Sequence, residues 1–364
     1  MRPFRRECGS PRDPRRRCTT LAPALATVLL LLVAGCLGGF TGIRPSVVYP
    51  SIEPVEGAPS HPVSFTYAFE ESVVTLTVPI NGSVFYGAQR AAKNATVARD
   101  LPDEAWVPGY YLAFLSDPAQ DGFYRDLLSE FSRIRAEKEL DSDRYLELMA
   151  VGVQSLPYRT KGDGVPRFPV ETFAERSGDC DDKSLLLAGL LAWEGYRVSL
   201  LLFDAEDHMA VGIAAEGCRY RNTSYAFLET TNLSLVGIPP EKIQGPIPAL
   251  TSDPVVIPVG GGTTAYGACG ETLAINAALL SAGKAADSLE EKLTAKKAEL
   301  DRAAGAGNRA EYRRLLSEYN ALVREFNGKA EVNNHLLQHL HDRPGTYRWL
   351  QVRGLASSSS PSPS

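Results

Sequence analysis

One cysteine of this 364-residue chain stands where a thiol could act as a nucleophile. Cys180 follows a Gly-Asp turn and precedes an apolar run, Leu185–Leu191, which predicts a buried helix. The unpaired N–H groups at a helix N-terminus carry roughly half a positive charge, which favours a thiolate and offers donors to an oxyanion. Asp179, Asp181 and Asp182 oppose this effect, because neighbouring carboxylates disfavour a second anion. We therefore expect the thiolate to need an imidazolium partner.

Among the five histidines of the chain, His208 is the candidate for that partner. His61 lies in a predicted tether, and His335, His339 and His341 lie in a distant helical segment. His208 opens a predicted strand 28 residues after the cysteine. A helix–strand–strand path of that length allows the chain to return beside the start of the helix.

A third residue should orient the imidazole by accepting its other N–H. Glu229 interrupts an apolar stretch, Tyr225–Thr230, where a carboxylate without a partner is expensive. If this stretch pairs antiparallel with the strand that begins at His208, the two side chains can share a face. Asp207 is an alternative, although adjacent residues of a strand point to opposite faces.

A cysteine, a histidine and a carboxylate in this arrangement support acyl transfer. The thiolate would attack a carboxamide or peptide carbonyl, and the imidazolium would protonate the leaving amine. Water would then hydrolyse the thioester, or a lysine amine would resolve it as a cross-link. This chemistry requires no metal and no cofactor, and we expect neither.

The elements that must position these residues are one helix and three strands. The helix is predicted from Cys180 to Trp193, and Gly195 is a suitable C-terminal stop. The strand-like stretches that follow are Arg197–Phe203, His208–Ile213 and Tyr225–Thr230.

Other segments frame this region. We expect a β-rich segment over residues 63–115, with a hairpin turn at residues 79–83, and the catalytic domain over residues 116–270. Residues 271–342 predict a helical hairpin with a coiled-coil-like stripe, and residues 356–364 a disordered tail.

Several motifs together resemble the transglutaminase-like superfamily. The sequence Gly178-Asp179-Cys180-Asp181-Asp182-Lys183, followed by the leucine-rich helix and Gly195-Tyr196, resembles the nucleophile motif of that superfamily. His208 and the stretch Phe227–Thr231 resemble its second and third catalytic segments. Upstream, Val153–Tyr158 resembles the approach to the same helix in microbial members. The resemblance covers about residues 140–235, with the order Cys, His, acid intact.

The resemblance implies a papain-like α+β core, in which a buried helix bearing the cysteine packs on an antiparallel sheet. It implies Cys180 as nucleophile, His208 as general base and acid, Glu229 as the orienting carboxylate and Gln154 as support for the oxyanion. Two departures affect the substrate class: the superfamily usually has Asp in place of Glu229, and an Ala-Trp pair where this chain has Met209-Ala210. Microbial members are often proteases or amidases, so hydrolysis is favoured over cross-linking.

The N-terminal segment predicts export. An apolar run, Leu21–Gly35, is short for a membrane span but suits a secretory signal, and it ends at Val33-Ala34-Gly35-Cys36. Small residues before a cysteine resemble a lipobox, so residues 1–36 are interpreted as a signal peptide with Cys36 lipidated. An uncleaved anchor helix is the alternative, and both place the rest of the chain outside the cytoplasm. Residues 37–62 read as a linker.

The cysteine count supports a free thiol. Two of the six cysteines lie in the predicted signal and Cys36 would be lipidated, which leaves Cys180, Cys218 and Cys269. In an oxidising compartment an even number is expected to pair. A Cys218–Cys269 disulfide with Cys180 free is the simplest arrangement, although sequence alone leaves other pairings open.

Composition excludes some classes of protein. A chain that is 44% hydrophobic and 22% charged is neither wholly disordered nor fibrous. Seven arginines against two acidic residues give residues 1–35 a charge of +5, so the net charge of −5 leaves −10 on the remainder, which argues against nucleic-acid binding.

The remaining hypotheses are a membrane-anchored cysteine peptidase or amidase, a catalytically inactive surface module for peptide binding or assembly, and a cross-linking transglutaminase. The expected partners are a peptide or protein substrate, the membrane, and a coiled-coil partner or a second copy.

Overall fold

The computed structural model describes residues 47–97, 101–162, 164–240 and 249–356. The predicted signal peptide with Cys36, and all of the serine-rich tail except residue 356, lie outside these residues. Within the described ranges, no helix has the length and apolarity needed to span a bilayer.

The chain is an α+β protein whose sheets are antiparallel. The strands are β1 (Val47–Val48), β2 (His61–Phe69), β3 (Ser72–Ile80), β4 (Thr96–Val97), β5 (Val198–Phe203), β6 (His208–Ala214), β7 (Tyr225–Leu228) and β8 (Val255–Val259). The helices are α1 (Gly82–Arg90), α2 (Asp103–Ser116), α3 (Asp121–Glu137), α4 (Ser142–Gln154), α5 (Pro169–Glu175), α6 (Cys180–Trp193), α7 (Cys269–Gly305), α8 (Arg309–Gln338) and α9 (Arg343–Val352).

A buried helix and a four-stranded sheet form the centre of the protein. The sheet has the order β7-β6-β5-β8, and α6 packs against β5 and β6. The predicted helix is confirmed: α6 begins at Cys180, ends at Trp193 and is followed by Gly195 with φ of 78°. The three predicted strands are also found, although β7 ends at Leu228, before Glu229. Strands β6 and β7 pair antiparallel, with Val211 opposite Leu228.

The N-terminal β segment differs from the prediction. The hairpin turns at Glu70-Glu71, between β2 and β3, and not at residues 79–83. Asn81 instead caps α1, because its side chain accepts a hydrogen bond from the Ser83 N–H at 3.0 Å. Residues 63–115 therefore hold two helices as well as the hairpin, so the segment is not uniformly β-rich.

The described part of the predicted linker packs on the core. Val47–Val48 forms β1 and pairs with β4, while β2 begins at His61. Ile52 is buried, and its N–H donates to the Asp117 carboxylate at 2.7 Å. A chain that buries an apolar side chain and satisfies its backbone in this way is part of the domain, and the linker prediction is wrong for residues 47–62.

The C-terminal segment is a helical hairpin with a short third helix. Helices α7 and α8 pack along a seam that includes Leu300, Ala303 and Leu315. Its base is fixed to the core by Arg343 of α9, whose guanidinium pairs with Glu147 of α4 at 2.6 Å. The hairpin therefore agrees with the sequence, while α9 extends this unit beyond the predicted end at residue 342.

Candidate functional site

The start of α6 is fixed by a reciprocal cap. The Asp179 side chain accepts from the Asp182 N–H at 3.3 Å, and the Asp182 side chain accepts from the Asp179 N–H at 3.2 Å. Gly178 precedes the cap because a Cβ there would lie 2.6 Å from the Asp182 Cβ. The Arg167 backbone N–H also donates to Asp182 at 2.6 Å, and its guanidinium lies 3.2 Å from the same carboxylate. These contacts hold the nucleophile helix at a defined starting point.

Cys180 is the free cysteine of the described chain, while Cys218 and Cys269 form a disulfide with an S–S distance of 2.02 Å. This is the pairing that the cysteine count favours. The Cys180 side chain is only 9% exposed, and its Sγ lies 3.6 Å from Asp181 Oδ1 and 4.0 Å from the Asp207 carbonyl oxygen. The sulfur is thus packed against the peptide that leads into β6.

His208 begins β6 and faces Glu229, the residue after β7. Their side chains are 2% and 1% exposed, and Nε2 of His208 lies 3.6 Å from Oε2 of Glu229. This is an ion-pair distance slightly longer than a hydrogen bond. Continuing the β6–β7 register places Glu229 opposite Ala210, on the same face as His208. Because Nε2 faces the carboxylate, Nδ1 is the ring nitrogen left for Cys180.

The Glu229 carboxylate is held by its own loop. Its Oε1 accepts from the Thr230 N–H at 3.0 Å, the Thr231 N–H at 2.8 Å and the Thr231 hydroxyl at 2.6 Å. Burial would raise the pKa of Glu229, but the His208 imidazole and the Thr231 donors outweigh it and lower that pKa. Glu229, rather than the alternative Asp207, is therefore the carboxylate at ion-pair distance from the imidazole.

Asp207 has a different part in the site. It takes a left-handed conformation, with φ of 49°, immediately before His208, and its carbonyl faces the sulfur. Non-glycine residues in this region carry strain of about 1 kcal/mol or more and cluster at functional sites.

Gln154 does not provide the predicted oxyanion support. Its Nε2 donates to the carbonyl oxygens of Glu229 at 2.8 Å and Ser234 at 3.1 Å, and its Oε1 accepts from the Ser234 N–H at 3.4 Å. With the amide N–H groups bonded to main-chain oxygens, Gln154 anchors the loop after β7 instead of facing the sulfur.

The charges around the sulfur keep the thiol protonated. Burial raises the pKa of Cys180 well above its ordinary value, Asp181 and Asp179 raise it further, and the Met209 backbone N–H opposes the shift. Burial and the neighbouring Asp179 and Asp182 raise the pKa of Asp181 to about 7. At neutral pH, a buried thiol thus lies beside a carboxyl group that is itself partly protonated.

In the described part of the chain, the Cys180 sulfur makes no hydrogen bond to the His208 ring. Its partners are Asp181 Oδ1, the Asp207 carbonyl and the Met209 backbone N–H. Catalytic hydrogen bonds are often long or incomplete before substrate binds. The structure therefore brings the start of α6, the imidazole and the carboxylate together, without a hydrogen bond between Sγ and Nδ1.

Sequence reasoning missed two residues that support the site. Lys183 is buried on α6, and Ser184 beside it bonds to the Met209 carbonyl at 3.1 Å and the Thr230 hydroxyl at 3.0 Å. The available signal was a lysine and a serine that stand between the acidic first residues of the helix and its apolar run.

In the part of the chain that the structure describes, no group of three or more histidine, cysteine, aspartate or glutamate side chains could hold a metal ion. Comparisons of the chain with protein-family models, with curated proteins and with solved structures found no match.

Proposed function

We propose that the protein is an extracytoplasmic, membrane-anchored acyl-transfer enzyme with a cysteine nucleophile, which hydrolyses amide bonds of peptides or proteins. In this proposal the α+β core is papain-like, of the transglutaminase-like type. The observation that carries the proposal is the His208–Glu229 pair at 3.6 Å beside a peptide whose Asp207 carbonyl is 4.0 Å from Cys180 Sγ.

The reaction begins with proton transfer. The Cys180 thiol gives its proton to Nδ1 of His208, and Glu229 stabilises the imidazolium from the opposite side of the ring. The sulfur then forms a bond to the substrate carbonyl carbon, and negative charge develops on the carbonyl oxygen. The positive end of α6 stabilises that charge.

Collapse of the tetrahedral intermediate breaks the C–N bond. The His208 imidazolium protonates the leaving amine, and the acyl group remains on Cys180 as a thioester. A water molecule then attacks the thioester carbon while His208 accepts its proton, and the thiol is released with a carboxylic acid. The net reaction is hydrolysis of one amide.

A side-chain rotation of Cys180 is required before the first step. The sulfur hydrogen-bonds to Asp181, and in this proposal a change of the Cα–Cβ torsion turns it toward the imidazole. Rotamer changes of this kind are inexpensive compared with a backbone movement. Substrate that displaces the thiol from Asp181 would therefore complete the site.

A second function is favoured by the same contact. Because the thiol hydrogen-bonds to Asp181 instead of His208, the fold also suits a catalytically inactive surface module that binds peptides or supports assembly. A cross-linking enzyme would use the same site with a lysine amine in place of water.

These functions are separated by incubating the full chain with unfolded casein and, in parallel, with casein and a fluorescent primary amine. We expect new peptides from casein with the wild-type chain and none with Cys180→Ala at an unchanged melting temperature. Amine incorporation without new peptides would indicate cross-linking. If neither occurs and iodoacetamide fails to label Cys180 in the folded protein, the binding module is the better description.

A further inference from the structure

A buried lysine lies on α6 one turn after the nucleophile. Lys183 is 0% exposed, and its ammonium donates to the carbonyl oxygens of Gln154 at 3.1 Å, Leu156 at 2.8 Å and Thr231 at 3.3 Å. An ammonium group has three N–H donors, so these bonds satisfy it. Burying a cation among carbonyls costs free energy that an apolar side chain would not. The position of Lys183 therefore points to a role other than packing.

The contacts of Lys183 lead to the imidazole. Its partner Thr231 donates through both N–H and hydroxyl to Oε1 of Glu229, at 2.8 Å and 2.6 Å. Oε2 of Glu229 lies 3.6 Å from Nε2 of His208. A second path runs through Gln154, which accepts from Lys183 and donates to the Glu229 carbonyl at 2.8 Å. Lys183 thus holds the loop of Glu229 in place by hydrogen bonds that start from the helix of Cys180.

We propose that Lys183 is a positioning residue of the acyl-transfer site: it orients the Glu229 carboxylate toward His208 by holding Thr231 and Gln154. The inference rests on the proposed function, since it assigns Lys183 to the same Cys180–His208–Glu229 site. Cys180 and Lys183 lie on the same helix, so a movement of α6 would displace the nucleophile and the residue that positions Glu229 together.

Charge acts in the same direction as geometry. Burial lowers the pKa of Lys183 to about 8, and the Glu229 carboxylate opposes that shift. The attraction is mutual, so the ammonium also favours the ionised form of Glu229. Replacing Lys183 with glutamine removes this attraction and shortens the side chain that holds the three carbonyl oxygens. The Glu229 loop is then held less firmly. Its carboxylate stabilises the His208 imidazolium less, and the imidazolium in turn stabilises the Cys180 thiolate less.

The test is the pH profile of Cys180 alkylation by iodoacetamide in the full chain, read from the labelled Cys180 peptide by mass spectrometry. An imidazolium partner extends thiolate reactivity to lower pH than an isolated thiol allows. In Lys183→Gln we expect that profile to move to higher pH, with a rate about tenfold lower on its acid side, the change that one pKa unit produces. The Gln side chain keeps N–H donors, which favours folding.

Arg343→Gln is the matched control. Arg343 is also a buried cation, 6% exposed, but it pairs with Glu147 and Glu271 at the base of the helical hairpin. Its replacement should reduce stability and leave the alkylation profile unchanged. If Lys183→Gln has the wild-type profile, or if Arg343→Gln moves the profile equally, the positioning role is wrong.

A second variant tests the link through Thr231. Thr231→Val removes one donor to Glu229 and should move the profile in the same direction as Lys183→Gln. In the double variant, the effect should not exceed the larger single effect, since both act through one carboxylate. Should Lys183→Gln fail to fold, an unchanged profile in Thr231→Val alone overturns the proposal.

The profile of His208→Gln separates this proposal from the proposed function. If His208→Gln leaves the wild-type alkylation profile unchanged, the acyl-transfer site itself is wrong. If His208→Gln moves the profile to higher pH while Lys183→Gln and Thr231→Val do not, the site stands and only the role of Lys183 is lost.

Discussion

Asp181 restrains the nucleophile, and its removal should make Cys180 more reactive. Its Oδ1 lies 3.6 Å from Cys180 Sγ, and its charge is among the causes that raise the pKa of the thiol. Asp181→Asn keeps the shape of the side chain and removes the charge. The thiol pKa should fall, because a thiolate no longer forms beside another anion.

The magnitude follows from the distance between the two atoms. Two unit charges 3.6 Å apart repel by about 1 kcal/mol in water and by about 5 kcal/mol at an effective dielectric constant of about 20. The pKa of Asp181 is raised to about 7, so at neutral pH only part of this repulsion is present. At a pH above about 7, Asp181 is ionised and the full repulsion is present. Removing even the repulsion of about 1 kcal/mol that applies in water should then raise the thiolate population roughly tenfold, as long as most of the thiol is still protonated.

The assay is the second-order rate constant of iodoacetamide with Cys180 at mildly alkaline pH, measured on the labelled peptide. Asp301→Asn is the control, since it removes an exposed carboxylate of α7 in the helical hairpin. We expect a rise of about tenfold or more in Asp181→Asn and none in Asp301→Asn. A rate equal to or below wild type in a folded Asp181→Asn protein would show that Asp181 does not restrain the sulfur.

Three further predictions concern the frame of the site. Glu206 accepts hydrogen bonds from Thr251 and Ser252, and these outweigh the effect of burial and lower its pKa to about 2. The ionised carboxylate should therefore stabilise the fold above about pH 4, and this stabilisation should be lost as the pH falls toward about 2. Glu206→Gln should reduce the free energy of unfolding at neutral pH by about 1 to 3 kcal/mol and flatten its acid dependence in urea titrations; an unchanged dependence would contradict this. Replacing both Cys218 and Cys269 with Ser should lower the free energy of unfolding by about 4 kcal/mol, because the disulfide closes a loop of 51 residues. Urea unfolding measures this change, and equal midpoints for the two proteins would contradict a stabilising disulfide. Gly178→Ala should cost about 1 to 3 kcal/mol by overpacking at the start of α6, and a thermal midpoint equal to wild type would contradict the contact.

The elements of the site could be predicted because their signals are local. Helix α6 starts and stops where predicted, since Asp179 and Gly195 mark its ends within a few residues. The strand of His208 and the strand before Glu229 were visible from β-branched and apolar runs, and their pairing follows from the short connection between them.

Other features depend on contacts that leave no local pattern. Asn81-Gly82-Ser83 has the composition of a hairpin turn and of a helix N-cap, and the pairing of β2 with β3 decides between them. The side chain of Gln154 meets a carbonyl 75 residues away in sequence, so its role could not be read from its neighbours. Lys183 binds main-chain carbonyls, which every residue carries, and the sequence therefore gives no sign of its partners.

The pairing of the Cys180 sulfur with the His208 imidazole is tested most directly by titrating the thiolate in ultraviolet absorbance. The spectrum of Cys180→Ser is subtracted from that of the full chain, and the same titration is made in a His208→Gln background. We expect a thiolate that persists to lower pH in the wild-type chain and disappears there in His208→Gln. Identical titrations with and without the imidazole would contradict the proposed site.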